Sequence, residues 1–405
     1  MNNKIFWLLA VPLLIQHPAP AEADLGPALT GLSAMANDAT TAFSGPAGIT
    51  RLDTPQLVLQ TSLAYTRSKF TVDEATTTGG DGEDDTSLLA IPGLFYVNPL
   101  TDRLSVGLSI NVPSGIGYDY GNGWAGRYHT TRTQLTFFAG SAVAAYRLTD
   151  KLSVAAGPYM MYLDSETESR VNNLLPRAGD GRVKLSESGA DIGYVISMLY
   201  EFSDSTRIGA TYHSELQPDL DGTPSFHNID PLYRKILAAA DLLGTTVKVD
   251  FTVPAIAQAG FYTEFADNWS ITGDLLWLDM SEFGVTQLKV QPDSIAAKSR
   301  YRDMWIMNVG LRYSYAPEHA VSVGGIYGTS PVKDSKRNIA RPLDRLVGGG
   351  IGLEMPVYDH PCRFNLNYFD LGDGDVKAKG DPFTGDFSGS FAENWALMFD
   401  FQIQI

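Results

Sequence analysis

The last residues, "NWALMFDFQIQI", alternate with a period of two. Trp395, Leu397, Phe399, Phe401, Ile403 and Ile405 fall on one face, and Asn394, Ala396, Met398, Asp400, Gln402 and Gln404 on the other. A strand sends successive side chains to opposite sides, so this segment has one greasy and one largely polar face. The same phase runs through "DIGYVISMLYEF", where Ile192, Tyr194, Ile196, Met198, Tyr200 and Phe202 oppose Gly193, Val195, Ser197, Leu199 and Glu201. In "YRDMWIMNVGLRYSY" the outward set is Trp305, Met307, Val309, Leu311, Tyr313 and Tyr315, against Arg302, Met304, Ile306, Asn308, Gly310 and Arg312. Such stretches outrun the roughly five or six residues of a strand in a soluble sheet.

Tight turns at 148–151, 202–205 and 316–319 separate some of these strands, while other links are long. Long dyad-repeat strands joined by alternating short and long links describe a transmembrane antiparallel β-barrel, an all-β fold. A bilayer demands closure, because an open sheet edge in lipid leaves backbone groups unpaired. Strands are expected near 56–67, 88–98, 103–112, 134–147, 151–164, 183–201, 205–218, 245–264, 268–291, 299–316, 319–328, 345–356, 361–370 and 390–405. That makes about fourteen, an even number as bacterial barrels require. The competing fold is a soluble β-sandwich, whose strands are shorter and lack this aromatic alternation.

Composition agrees: 19 Tyr, 19 Phe and 39 Gly suit strands and turns better than a helical bundle. The start, "MNNKIFWLLAVPLLIQHPAPAEAD", has Lys4, an apolar core from Ile5 to Ile15 and the small residues Ala21 and Ala23. It reads as a secretory signal peptide, residues 1–23, rather than an uncleaved anchor or a buried strand. No later stretch offers the ~20 apolar residues of a membrane helix. The one cysteine, Cys362, cannot form an internal disulfide. A formal charge of −16 disfavours nucleic acid as a partner. The acidic runs Gly79 to Thr86 and Asp370 to Asp386 read as solvated loops, and neither follows an EF-hand spacing. Neither a metal nor another cofactor is expected.

A porin lumen should be polar. Here the inward set includes Val195, Leu199, Met304, Ile306 and Met398 among Arg, Asn and Gln. Gly348, Gly350 and Gly352 share one face of "RLVGGGIGLEM", where missing side chains let another backbone come close. Either the passage is partly apolar with something packed inside it, or a bulge inverts some of these faces. "NDATTAFSGPAGITRL" (37–52) is compact and turn-prone, too polar for lipid and too short to fold alone. Enclosed by a barrel, residues 24–55 are the right size for a plug, leaving 56–405 as the barrel. Pro46 fixes φ and Gly45 and Gly48 allow sharp turns, while Asn37 and Asp38 are placed to cap a short helical turn through Thr41 and Ala42.

The same segment resembles the N-terminal hatch motif of the FadL/TodX family, outer-membrane channels for long-chain fatty acids and other hydrophobic compounds. The similarity continues through "VPSGIGYDYGNGWAGRYH", "AYRLTDKLSVAAG", "ATYHSEL", "YRDMWIMNVGLRY", "TSPVKDSKRNI" and "PLDRL". The resemblance implies a fourteen-stranded barrel closed by an N-terminal hatch, in the outer membrane of a Gram-negative bacterium. It further implies passive uptake: capture at the extracellular loops, passage to a lumen site, and sideways release beside a kinked third strand. Outer-membrane lipid and lipopolysaccharide would surround a monomer. Pro113, which closes the expected third strand, fits either such an interruption or ordinary strand termination. Where the family's hatch reads Asn-Pro-Ala, this chain has Gly45-Pro46-Ala47. The link after Leu163 is short for one of the family's two groove-forming loops, and Ile405 stands where a terminal Phe is more usual.

Candidate ligand contacts follow. Leu232, Ile236, Ala240 and Leu243 lie at helical spacing, an apolar face that either catches a greasy ligand or packs on the barrel rim. Arg302 and Arg312 fall inward by phase and Arg127 sits in "GWAGRYH"; each could bind an acid head or pair with lumen acids such as Glu201 and Asp400. Trp124 and Tyr128 could line the mouth or belong to an interfacial girdle. Met304 and Ile306 would line the lumen. His129, His213, His227, His319 and His360 sit in no recognisable nucleophile or metal motif, so no enzymatic role is expected. A non-selective aqueous porin, or more remotely a barrel hydrolase, is the alternative.

Overall fold

The computed structural model describes residues 26–175, 179–239, 243–290, 293–296, 301–340, 342–380 and 382–405. The expected signal peptide and Ala240 lie outside them.

Fourteen long strands form the wall: β1 Gln56–Ala75, β2 Asp85–Pro99, β3 Leu104–Asp119, β4 Arg132–Arg147, β5 Leu152–Val171, β6 Gly181–Ser203 and β7 Thr206–His213, then β8 Ile256–Ala266, β9 Trp269–Leu278, β10 Met304–Ala316, β11 His319–Gly328, β12 Leu346–Val357, β13 His360–Asp370 and β14 Phe387–Gln404. Each pairs antiparallel with the next, and β1 pairs with β14 from Val58↔Gln404 to Ala75↔Phe387, so the sheet closes on itself. Shorter strands such as Asp219–Gly222 and Val247–Thr252 continue the wall beyond the long ones.

Links alternate strictly. Turns after β2, β4, β6, β8, β10 and β12 hold only a few residues, and Tyr358 and Asp359 of the last take positive φ of 49° and 67°. That geometry suits a two-residue hairpin, whose twist matches that of the flanking strands. All the long connections leave from the opposite rim, the extracellular one in a barrel of this kind.

The faces expected from the alternation are the observed ones. Ile192, Ile196, Trp305, Val309 and Phe399 are exposed, while Val195, Leu199, Met304, Ile306, Asn308, Met398 and Asp400 are buried. Aromatic pairs such as Trp269–Tyr313 (centroids 4.7 Å) and Tyr65–Trp395 (5.7 Å) stand near the two ends of the apolar band, as interfacial girdles do. Strand ends differ on the extracellular side, where β1, β3 and β5 run on to Ala75, Asp119 and Val171. Above the lipid no apolar outward face is needed, so alternation fades while pairing continues.

Pro113 does not close β3, which continues to Asp119. A register shift against β4 falls between Asn111 and Ser114, around the proline. On its other side β3 pairs with β2 only from Ser105↔Pro99 to Asn111↔Gly93, although β2 stays paired with β1 up to Asp85↔Ser68. A seam without ladder pairing therefore opens between the upper parts of β2 and β3.

Candidate functional site

The lumen is filled from below by the leading segment. Residues 26–50 are buried except Asn37, and they form the 3-10 turns Pro27–Leu29 and Pro46–Arg51 and the single helical turn Thr41–Ser44. Wall glycines make room for it. A Cβ on Gly209 would collide with the carbonyl oxygen of Ser33, and one on Gly324 with that of Pro27. Of the three β12 glycines expected to share a face, only Gly352 faces the plug, at Pro27; Gly348 and Gly350 accommodate Phe369 and Asn367 of β13.

The plug is tied down by polar groups that the wall points inward. Asp274 on β9, 6% exposed, accepts the backbone N–H groups of Gly31, Leu32 and Ser33 at 3.0, 3.2 and 2.9 Å. Asn367 Oδ1 accepts from Ala28 N at 2.7 Å and Asn308 Nδ2 donates to Leu29 O at 2.8 Å. Arg207 donates to Ala34 O at 2.6 Å and to Met35 O, and its guanidinium lies 3.9 Å from the Tyr262 ring centre. Gln258 donates to Ser44 O, Arg147 to Thr50 O, and Arg51 pairs with Glu201. A buried carboxylate accepting several N–H groups does for an irregular segment what a helix would do for itself, satisfying donors that water cannot reach.

Asp38 is the plug's own hub. Its Oδ1 accepts Thr40 N at 2.9 Å, and its Oδ2 meets Gln402 Nε2 at 2.8 Å and Arg363 at 3.3 Å. Asn37 is exposed. Gly45 packs against the carbonyls of Leu32 and Ser33, Pro46 opens the second 3-10 turn, and Ala47 is fully buried with its carbonyl accepting Thr50 Oγ1.

Above the plug the inward faces turn largely apolar, with Ser165, Thr167 and Glu187 interspersed. Leu135 and Phe137, Met161 and Leu163, Val195, Leu276 and Leu278, and Met304 and Ile306 join the plug's Leu32, Phe43 and Ile49, and Leu199 at the level of the plug, in one hydrophobic cluster. Met304 and Ile306 thus lie where the sequence placed them.

The mouth is roofed by a second apolar cluster of Phe70, Tyr118, Tyr120, Trp124, Phe387 and Phe391. Trp124 is 1% exposed, stacks on Tyr120 at 4.9 Å and donates Nε1–H to Thr130 O at 2.8 Å. Arg127 pairs with Asp180 at 2.7 Å and donates to Tyr128 OH at 2.8 Å; Tyr128 OH in turn donates to Asp180 Oδ1 at 2.8 Å. Burial, aided by the Asp180 carboxylate, pushes the Tyr128 hydroxyl above its ordinary value. Trp124 and Tyr128 are therefore parts of the loop roof and not of a membrane girdle.

Three expectations need correction. Arg302 is not inward: it precedes β10, is exposed, and bonds Ser330 O at 3.0 Å, because the alternating phase begins only at Met304. The arginines do pair with acids, but inward-facing Arg312 takes Glu354 (3.0 and 2.7 Å) and Arg127 in the roof takes Asp180, while Asp400 receives Asn367. The helix Pro231–Ala239 buries Tyr233 and Leu237, leaves Leu232 exposed and Ile236 half-buried, and Leu243 packs beyond its end. An aromatic at 233 and a leucine at 237 make an equally spaced stripe, and tertiary packing chose it. Asp230 ties this helix to the loop after β5, accepting Tyr233 N at 2.8 Å, Leu174 N at 2.6 Å and Leu175 N at 3.1 Å.

Asp274, Asn308, Asn367, Arg207 and Gln258 were not singled out as functional from sequence. A lone aspartate inside the apolar run "ITGDLLWL" was the available signal.

The model of the outer membrane protein transport family (OMPP1/FadL/TodX) matches residues 15–353. The chain belongs to this family. A long-chain fatty acid transport protein of Escherichia coli O6:H1 (strain CFT073) is 25% identical over 362 residues, covering 80% of each chain. A FadL homologue of Pseudomonas aeruginosa has the same fold, with a TM-score of 0.84 at 19% identity over 96% of this chain and 99% of that one. The toluene transporter TodX of Pseudomonas putida aligns with a TM-score of 0.68 at 17% identity, covering 95% and 99%. As an OMPP1/FadL/TodX protein with a closed barrel, the chain resides in the outer membrane of a Gram-negative bacterium.

Proposed function

We propose that this barrel takes up hydrophobic small molecules, long-chain fatty acids or aromatic hydrocarbons, by passive transfer, with the plug as gate and the β2–β3 seam as lateral outlet into the membrane. The single observation that carries the reading is the apolar column above a hydrogen-bonded plug. A water-filled pore gains nothing from Leu135, Phe137, Leu276 and Ile306 on its lining, whereas an oily ligand gains about 25 cal/mol for each Å² of apolar surface it buries. The family's transport activity and the substrates named for the E. coli and P. putida relatives support the same choice.

In this reading residues 1–23 are the removed signal peptide, 24–55 the hatch and 56–405 the barrel. Met304 and Ile306 contact ligand in the lumen. Trp124, Arg127 and Tyr128 hold the roof through which it enters, and the exposed Leu232 with Ile236 and Leu243 offers the first apolar surface outside. Asn37, Asp38, Gly45, Pro46 and Ala47 belong to the moving hatch. The protein works as a monomer among outer-membrane lipid and lipopolysaccharide, without catalysis or cofactor.

Deletion should abolish uptake of hydrophobic substrates by whole cells, and liposomes carrying the purified protein should pass no sugar. Sugar flux comparable to that of an open porin would overturn the reading.

A further inference from the structure

The floor of the apolar column carries a polar side chain that neither wall nor plug satisfies. His213, the last residue of β7, is 7% exposed, and among the described residues no group bonds its Nε2. Its ring lies 5.4 Å from that of Phe43 on the plug and 5.1 Å from that of Tyr159. The residues opposing it across the ladders are Val195 and Ile256, and the row continues through Leu278 to Met304. All four are apolar, so the imidazole stands in a greasy ring at the plug's upper surface. Polar wall groups lower in the lumen differ: Ser197 and Thr211, one row down, bond each other at 3.0 Å, and Asp274, Asn308, Arg207 and Gln258 each bond the plug backbone.

We propose that His213 Nε2 hydrogen-bonds the oxygen head group of an otherwise apolar ligand resting on Phe43, so that the channel favours carboxylic acids and alcohols over bare hydrocarbons. An imidazole nitrogen donates to a carboxylate when it bears the proton and accepts from a hydroxyl when it does not. In apolar surroundings a ligand without such a head leaves the nitrogen unpaired, and sites built on a buried polar atom reject ligands that do so. The proposal rests on the transport reading above and narrows its substrate class from two to one.

The test is equilibrium binding of radiolabelled palmitic acid, hexadecanol and hexadecane to the purified barrel in detergent. It compares wild type, His213→Leu and His213→Gln, each checked for folding by heat-modifiable gel mobility. The affinity of acid and alcohol relative to hydrocarbon should fall by about ten- to a hundredfold in His213→Leu. His213→Gln, whose amide restores a donor and an acceptor, should recover part of that ratio. An unchanged ratio in folded His213→Leu overturns the proposal while leaving hydrophobic transport standing. Wild type that binds none of the three overturns both. Should His213→Leu not fold, the nitrogen-15 resonance of His213 in wild type decides: it should shift with the acid and not with the hydrocarbon, and equal response to both overturns the proposal.

Discussion

The lower and upper halves of this lumen are built on opposite principles. Below, the wall contributes Asp274, Arg207, Asn308, Gln258 and Asn367, and each of the five meets plug backbone. Above, it contributes Leu135, Phe137, Leu163, Leu276 and Ile306, which share one hydrophobic cluster with Phe43. The reason lies in the contents. An irregular protein segment brings N–H and C=O groups that helix or sheet would otherwise pair, so its container must be polar and specific. The oily solute proposed for the upper half brings none along its chain, so its container is mostly apolar area, with His213 left for a polar head. One barrel can do both because an inward strand position is free to be either, provided the lipid face stays greasy.

The contrast can be broken most severely at Asp274. Asp274→Ala strands three buried plug N–H groups at about 1–3 kcal/mol each, so plug anchoring should weaken by about 3 kcal/mol or more. Measurable ion conductance in planar bilayers and faster proteolysis of the leading segment are expected, and a silent, protected variant would remove the anchor role. Next comes Ile306→Asp, which puts an uncompensated carboxylate in the apolar half. Ligand affinity should drop at least tenfold, about 1.4 kcal/mol, with the plug still closed. Equal affinity would show that ligand bypasses the column.

A smaller change is expected at the seam. Pro113→Val restores a backbone donor beside the irregularity between Asn111 and Ser114, and cellular uptake of a labelled fatty acid should slow severalfold. Wild-type rates would mean the outlet lies elsewhere. The mildest test concerns Asp230. Burial raises its carboxyl, but the N–H groups of Tyr233, Leu175 and Leu174 outweigh this and hold it below the ordinary value. Its contribution is thus present above about pH 4 and lost as the pH falls through the lowered value. Protection of Pro231–Ala239 against hydrogen exchange, corrected for the intrinsic pH dependence of amide exchange, should fall in acid, and Asp230→Ala should show the same low protection at neutral pH.

Strands were readable wherever lipid imposed period two, as in β6, β10 and β14, because one inverted residue there would put a polar group in hydrocarbon. They were misjudged where lipid ends, at Ala75, Asp119 and Val171, and where a proline sits inside a strand whose neighbour has already let go. The inward position of Met304 and Ile306 followed from phase alone, whereas Arg302 lay just before the phase begins.

What the sequence by itself determined is the closed, lipid-facing cylinder and the existence of a segment that must be sheltered by it. Both follow from local chemistry, the repeat of apolar side chains and the polarity of a short turn-rich stretch. Which wall residues grip that segment was decided only by the tertiary structure. Asp274 reaches Gly31 across more than two hundred residues, and His213 meets Phe43, because closure of the barrel sets the strand register and with it the neighbours.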